Sequence, residues 1–209
     1  MTAKWPDTEE VVTYTAAEYC ARIVGILAGL PLTQSCTYYE LEELVDAQVA
    51  EDPDAEIDAG KLIVVFDGEQ YKLGRGVTSL VTLKKDTPEG LQKIKIVDGQ
   101  DVLKHDIYTT FEEEYVGKVV NSYDNKQLFV GAVLAYFKDL YDTILDRQST
   151  NMVEIDQEAN RAYLKAHGKD VEGLSEQELK EANTGASLFL DGEVTFLDAM
   201  EDLAFKMAM

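Results

Sequence analysis

The period of the apolar positions changes several times along this chain, and each change marks an element. Ala17, Ala21, Val24 and Ala28 recur at helical spacing behind Thr15, which stands three residues before Glu18 in a capping-box arrangement. A helix is therefore predicted over about Ala16–Leu30, stopped by Pro31, with Gly25, Ala28 and Gly29 small enough to let another backbone approach. Residues 1–15 before it are polar and expected to be loose, although Val11 to Tyr14 are β-prone. Thr33 to Tyr39 is also β-prone, and an acidic stretch follows from Glu51 to Asp58. Lys61–Phe66 and Glu69–Leu73 flank Asp67-Gly68, the signal of a hairpin with a two-residue turn. Val77–Leu83 and Ile94–Val97 read as further strands.

Two long helices come next. Leu103, Ile107, Phe111, Tyr115 and Val119 repeat every four residues, as do Leu128, Ala132, Tyr136 and Leu140, joined by Phe129, Val133 and Phe137. The short polar link near Ser122–Asn125 predicts an antiparallel pair. Residues 146–185 are polar, with weaker helices near Asp156–Ala166 and Ser175–Ala182. Strands are predicted at Ser187–Leu190 and Val194–Leu197 around an Asp191-Gly192 turn, and a last one at Leu203–Met209. The fold class is α+β: β-hairpins and a small mixed sheet packed with a long helical pair, plus an extended C-terminal β-arm. The division expected is a loose segment over 1–15, a core over 16–198 and the arm over 199–209.

The arm carries its own pattern. Leu203, Phe205, Met207 and Met209 alternate with Ala204, Lys206 and Ala208, so one face of an extended strand is wholly apolar. Such a strand must pair with something. Pattern alone leaves two readings: the strand closes its own sheet, or it is donated to the sheet of a neighbouring subunit.

Charge excludes more than it assigns. Forty acidic against nineteen basic residues give a net charge of −21, which argues against nucleic acid as a partner, since that needs a cationic face. The same charge keeps isolated subunits apart at low salt. Arg161, Lys165 and Lys169, at i, i+4, i+8 near the helix predicted over Asp156–Ala166, form the one cationic line, a candidate contact surface. The longest apolar run, Ile23–Leu32, is too short to insert in a membrane, where a spanning helix needs about 20 residues.

No catalytic constellation is visible, and no cofactor or metal is expected. Cys20 and Cys36 match no metal spacing, and with only His105 and His167 beside them zinc lacks ligands. Gly74-Arg75-Gly76 begins like a phosphate loop, but Ser79 stands at the third glycine position and no helix N-terminus follows. Asp52, Asp54, Glu56 and Asp58 lack the glycine and the closing glutamate of a calcium loop, those places being Ile57 and Ile63. His105 lies one helical turn from Asp101, an ordinary surface pairing.

Six segments, in order across nearly the whole chain, resemble the C-terminal half of contractile tail sheath proteins of phages, defective prophages and phage-tail-like bacteriocins. They are Cys20–Tyr38 (CARIVGILAGLPLTQSCTY), Gly74–Leu83 (GRGVTSLVTL), Lys93–Ile96, Tyr115–Phe137, Glu181–Gly185 (EANTG) and Phe196–Met207 (FLDAMEDLAFKM). The resemblance implies a mechanical subunit, not an enzyme, which polymerises with copies of itself around an inner tail tube protein and contracts. It implies baseplate and terminator proteins as further partners, and a place in a virion tail or tail-like particle after assembly in the host cytoplasm. In this family exchanged terminal arms complete a sheet on another subunit. Leu203–Met209 is then the donated arm, and the strands around Lys61–Leu83 and Ser187–Leu197 belong to the accepting domain. The cationic line at Arg161, Lys165 and Lys169 becomes a candidate tube contact. Two departures stand out: family members usually carry a further arm and domain upstream, so this chain is expected to be a piece of a longer protein, and Thr78 stands where asparagine is expected. The alternatives are a non-sheath interaction domain of a tail or baseplate complex, and an enzyme or small-molecule binder.

Overall fold

A computed structural model describes residues 1–7, 9–85 and 87–208. The chain divides into two compact units, 1–100 with 198–208 and 101–197, against the single core expected over 16–198. The division falls within one helix, between Gln100 and Asp101.

In the first unit, the N-terminal stretch expected to be loose holds two paired strands. β1 (Thr2–Lys4) runs antiparallel to β2 (Val11–Thr13), and Ala3 is wholly buried. Trp5 N donates to Glu10 O at 3.2 Å next to the loop between the strands, and Trp5 Nε1 reaches along the pair to donate to Tyr14 Oη at 3.0 Å. The predicted capping box then opens α1 (Ala16–Gly29): Glu18 N donates to Thr15 Oγ1, and the Glu18 carboxylate accepts from Thr15 N. The buried stripe of α1 is Tyr19 and Ile26, with Ile23 and Leu27 half-buried, whereas Ala17, Ala21, Val24 and Ala28 face outward. Composition misled here, since the small residues mark the open face.

β3 (Leu44–Asp46) completes a sheet of order β2-β1-β3. Just before it, Glu43 is buried and accepts from Tyr19 Oη at 2.8 Å and Arg22 Nε at 2.7 Å. Burial pushes this carboxyl up, but the hydrogen bonds from Arg22 and Tyr19 outweigh it and hold the group below its ordinary value. The acidic run is a short helix, α2 (Pro53–Asp58), capped by Asp52. The predicted hairpin exists as β4 (Val64–Phe66) and β5 (Tyr71–Leu73), but its loop is longer than two residues. Asp67 spans it by accepting from the amides of Glu69 and Gln70, both at 2.9 Å.

Val77–Leu83 forms no strand; Val77 makes only an isolated bridge to Lys93. Ile94–Val97 is not a strand either but the first turn of α3 (Ile94–Glu114). An apolar run that short fits both periods, and its continuation decides between them.

In the second unit, α3 stops at Glu114 instead of reaching Val119, because Gly117 turns left-handed at φ +73°. α4 (Tyr123–Asp139) runs antiparallel to it: Phe129 meets Phe111 and Tyr115 at ring-centroid distances of 5.2 and 4.7 Å, while Tyr136, further on, donates to Asp106 nearer the start of α3. Phe129, Val130, Val133 and Phe137 are buried, and Leu128, placed on the core face by its spacing, is exposed. β6 (Met152–Ile155) was not predicted. It pairs antiparallel with β7 (Leu190–Glu193), so that Asp191-Gly192, read as a turn, lies within a strand. Between them, α5 (Gln157–Ala166) and α6 (Glu176–Glu181) enclose Leu164, Val171 and Leu179, and buried Asn160 donates to Leu179 O at 2.8 Å.

Candidate interaction site at the root of the C-terminal segment

The loop after β5 folds close against residues 35–37 because its glycines have no side chain. A Cβ on Gly76 would lie 2.8 Å from Cys36 Sγ and 3.2 Å from Ser35 Oγ. Gly76 N donates to Thr37 Oγ1 at 2.9 Å. This approach brings Ser35, Thr37, Arg75 and Lys93 around one carboxylate, that of Glu201. Glu201 accepts from Ser35 Oγ at 3.0 Å, Thr37 Oγ1 at 2.5 Å, Arg75 Nη1 at 3.3 Å and the Lys93 ammonium, and only 5% of its side chain is exposed. Arg75 also grips Asp202 with both terminal nitrogens, and Lys93 lies 3.8 Å from Asp198.

The electrostatics follow from that geometry. Burial pushes the Glu201 carboxyl up, yet the hydrogen bonds from Lys93, Thr37 and Ser35 leave it below its ordinary value, so it stays ionised. The Arg75 guanidinium lowers Asp202 in the same way. Arg75 rises in turn through its hydrogen bonds to Asp202.

Beyond this clamp the chain is bare. Residues 203–208 form no helix or strand, and Leu203, Phe205 and Met207 keep 91%, 73% and 74% of their surface exposed. Met209, the last predicted member of the apolar face, lies outside the described residues. The segment that carries the apolar alternation thus has no partner strand in its own chain among the described residues.

The same unit offers a groove. About 460 Å³ of space lies between Ala16, Cys20 and Val24 on the open face of α1 and Leu62, Ile63 and Val64 leading into β4, with Glu56 also lining it. Among the described residues β4 pairs only with β5, which leaves its other edge open.

In the second unit a polar junction joins α4 to the loop after α6. Lys126, buried at 3% exposure, donates to Ala182 O at 3.0 Å and Thr184 Oγ1 at 3.1 Å, and burial lowers its pKa. Asn121 Nδ2 donates to the carbonyls of Gly185 and Ser187, both at 2.9 Å.

The cationic line does not continue as its spacing suggests. α5 ends at Ala166, and Gly168 at φ +71° turns the chain, so Lys169 stands past the helix. Arg161 is turned toward Val171 O at 3.3 Å and Glu158 at 3.6 Å, and Lys165 is exposed in the last turn. Among the described residues, no group of three or more His, Cys, Asp and Glu side chains could hold a metal ion, and no helix is long and apolar enough to cross a membrane. Asp106, weighed beside His105, accepts from Tyr136.

A model of the phage tail sheath C-terminal domain family matches residues 86–209. The chain belongs to this family. The tail sheath protein of Clostridium phage phiCD119 is 39% identical over 207 residues, covering 97% of this chain and 56% of the phage protein, so the chain spans little more than half of that curated relative. The solved sheath tail protein of Desulfitobacterium hafniense superimposes with a TM-score of 0.61 at 23% identity, over 74% of this chain and 37% of its own. That of Listeria innocua gives 0.60 at 17% identity, over 76% and 39%. At those identities the likeness is one of fold.

Within this sheath-family chain the six segments of the sequence resemblance gather at the two polar junctions. Cys20–Tyr38, Gly74–Leu83, Lys93–Ile96 and Phe196–Met207 supply Ser35, Thr37, Arg75, Lys93, Glu201 and Asp202. Tyr115–Phe137 and Glu181–Gly185 supply Asn121, Lys126, Ala182 and Gly185. Sequence reasoning singled out the apolar residues of the arm and missed its acidic root. The available signal was Glu201-Asp202, two charges directly before an apolar alternation, in a chain where Arg75 and Lys93 had no assigned partner.

Proposed function

We propose that this chain is a structural subunit of a contractile phage tail sheath, which polymerises with copies of itself around an inner tail tube and contracts to drive that tube through a cell envelope. The observation that carries this reading is the segment 203–208: apolar on alternate positions, unpaired among the described residues, and fixed only at its root. A strand of that kind adds to an open sheet edge, where backbone hydrogen bonds set register and the apolar face finds a groove. The groove between α1 and β4 is the accepting surface on a second copy. Its acidic neighbours Asp52, Asp54 and Glu56 suit Lys206, the one cation of the arm. Tube, baseplate and terminator proteins are the further partners of such a subunit, and it works in a virion tail or tail-like particle after assembly in the host cytoplasm. Arg161, Lys165 and Lys169 remain the candidate tube contact.

Cys20 gives a direct test, because it is exposed beside the groove while Cys36 is buried. A tagged chain carrying Cys20→Ser and Met207→Cys is mixed with the unmodified chain and oxidised. Disulfide-linked heterodimers are expected, through the introduced thiol and Cys20. Products formed only between two tagged chains would refute the groove as acceptor. Absence of any self-association across salt and concentration would favour a non-sheath interaction domain of the tail or baseplate.

A further inference from the structure

We propose that Glu201 is the positioning residue of the C-terminal segment: its carboxylate, seated among Ser35, Thr37, Arg75 and Lys93, fixes where and in which direction residues 203–208 leave their own subunit. As far as this concerns delivery of the segment to a second copy, it rests on the strand-donation reading above.

Three observations carry the inference. First, the described attachment of residues 198–208 to the rest of the first unit runs through side chains. The segment joins no sheet, and Met200 and Leu203 on either side of the clamp are almost fully exposed. Second, the Glu201 side chain is the exception in this bare stretch, since it is buried and four groups donate to it. A buried carboxylate with its donors in place holds one geometry, because any shift of the backbone strands a charge away from water. Third, the next residue repeats the arrangement at the surface: Arg75 holds Asp202 through two nitrogens, which fixes orientation as well as position. Arg75 Nη1 donates to both Glu201 and Asp202, so two consecutive side chains converge on one guanidinium and the backbone between them is held in direction as well as place. The apolar face of Leu203, Phe205 and Met207 is thereby aimed, and the hold at the root survives when the far end is taken up elsewhere.

A nitroxide label on the 209-residue chain tests this, placed at Leu203→Cys in a Cys20→Ser background and read by electron paramagnetic resonance. The label is expected to be restricted in the parent, and Glu201→Ala is expected to raise its mobility by about threefold or more, with the Tm of the chain nearly unchanged. Asp202→Ala, which leaves Glu201 its four donors, should give a smaller rise. The Cys20 cross-link supplies a readout that packing alone would not move: Glu201→Ala should lower heterodimer yield by at least about fivefold, because an unaimed segment has a lower effective concentration at the groove. A label equally mobile with and without Glu201 overturns the proposal, as does a Glu201→Ala chain that loses its fold-wide stability along with the restriction. Should Glu201→Ala not fold, Asp202→Ala decides: no rise in mobility overturns it equally. A label that behaves as expected in a chain that never cross-links upholds the clamp and sinks strand donation instead.

Discussion

Truncation after Asp202 separates a donated arm from a strand that closes its own sheet. In this structure Leu203, Phe205 and Met207 have lost only 9%, 27% and 26% of their surface, as the complements of their 91%, 73% and 74% exposures. Full burial of such side chains stabilises by about 1.5–3 kcal/mol each, so their contribution here is about 1–2 kcal/mol in total. For a chain of this size about 1 kcal/mol moves Tm by roughly 2–4 °C, and the truncated protein should melt within about 8 °C of the parent. A strand buried in its own sheet would cost about 5–9 kcal/mol and lower Tm by more than about 10 °C. Across a junction the same three side chains offer roughly 5–9 kcal/mol, against roughly 6–12 kcal/mol for ordering six backbone residues. Backbone hydrogen bonds of about 1 kcal/mol each bring the balance near zero. Single junctions are therefore weak, and stability comes from many of them in one polymer. Thermal melts by circular dichroism give the first number. Electron microscopy, under conditions where the untruncated protein polymerises, gives the second, with loss of polymer expected. A large fall in Tm, or undiminished polymer, refutes the reasoning.

Other substitutions probe the two polar junctions and the charge pattern. Gly76→Ala places a methyl group 2.8 Å from the buried Cys36 Sγ, and overpacking of this kind should destabilise by about 1–3 kcal/mol, read as a fall in Tm. Asn121→Ala removes the donor to Gly185 O and Ser187 O, and should cost about 1–3 kcal/mol in denaturant unfolding. The Glu43 carboxyl is held below its ordinary 4.5, so its stabilisation is complete above that pH and is lost as pH falls through the lower folded value. Thermal melts from pH 6 downward should therefore show a steeper fall for the parent than for Glu43→Gln, and equal slopes would remove Glu43 from the account. Reversing the charges of Arg161, Lys165 and Lys169 should weaken co-sedimentation with tube protein and leave Tm nearly unchanged, whereas normal binding would dismiss this surface.

What the sequence determined by itself is local. The Thr15–Glu18 capping box, the limits of α1, α5 and α6, the two long helices and the hairpin at Lys61–Leu73 depend on neighbours within a few residues, and such signals survive in one dimension. The apolar alternation of the closing segment was legible for the same reason, as was the family, whose segments are short strings. Tertiary structure decided what depends on distant partners. Ile94–Val97 is helical because a longer helix continues it, and Asp191-Gly192 is a strand because Met152–Ile155 lies beside it. Residues 2–4 are held between two strands, one of which lies some forty positions away. The clamp is the clearest case: Glu201 meets Ser35, Thr37, Arg75 and Lys93 across separations of up to 166 residues. Nothing in the spacing of those charges announces it, because a hydrogen bond of this kind is set by where the fold carries two atoms, not by where the chain places two letters.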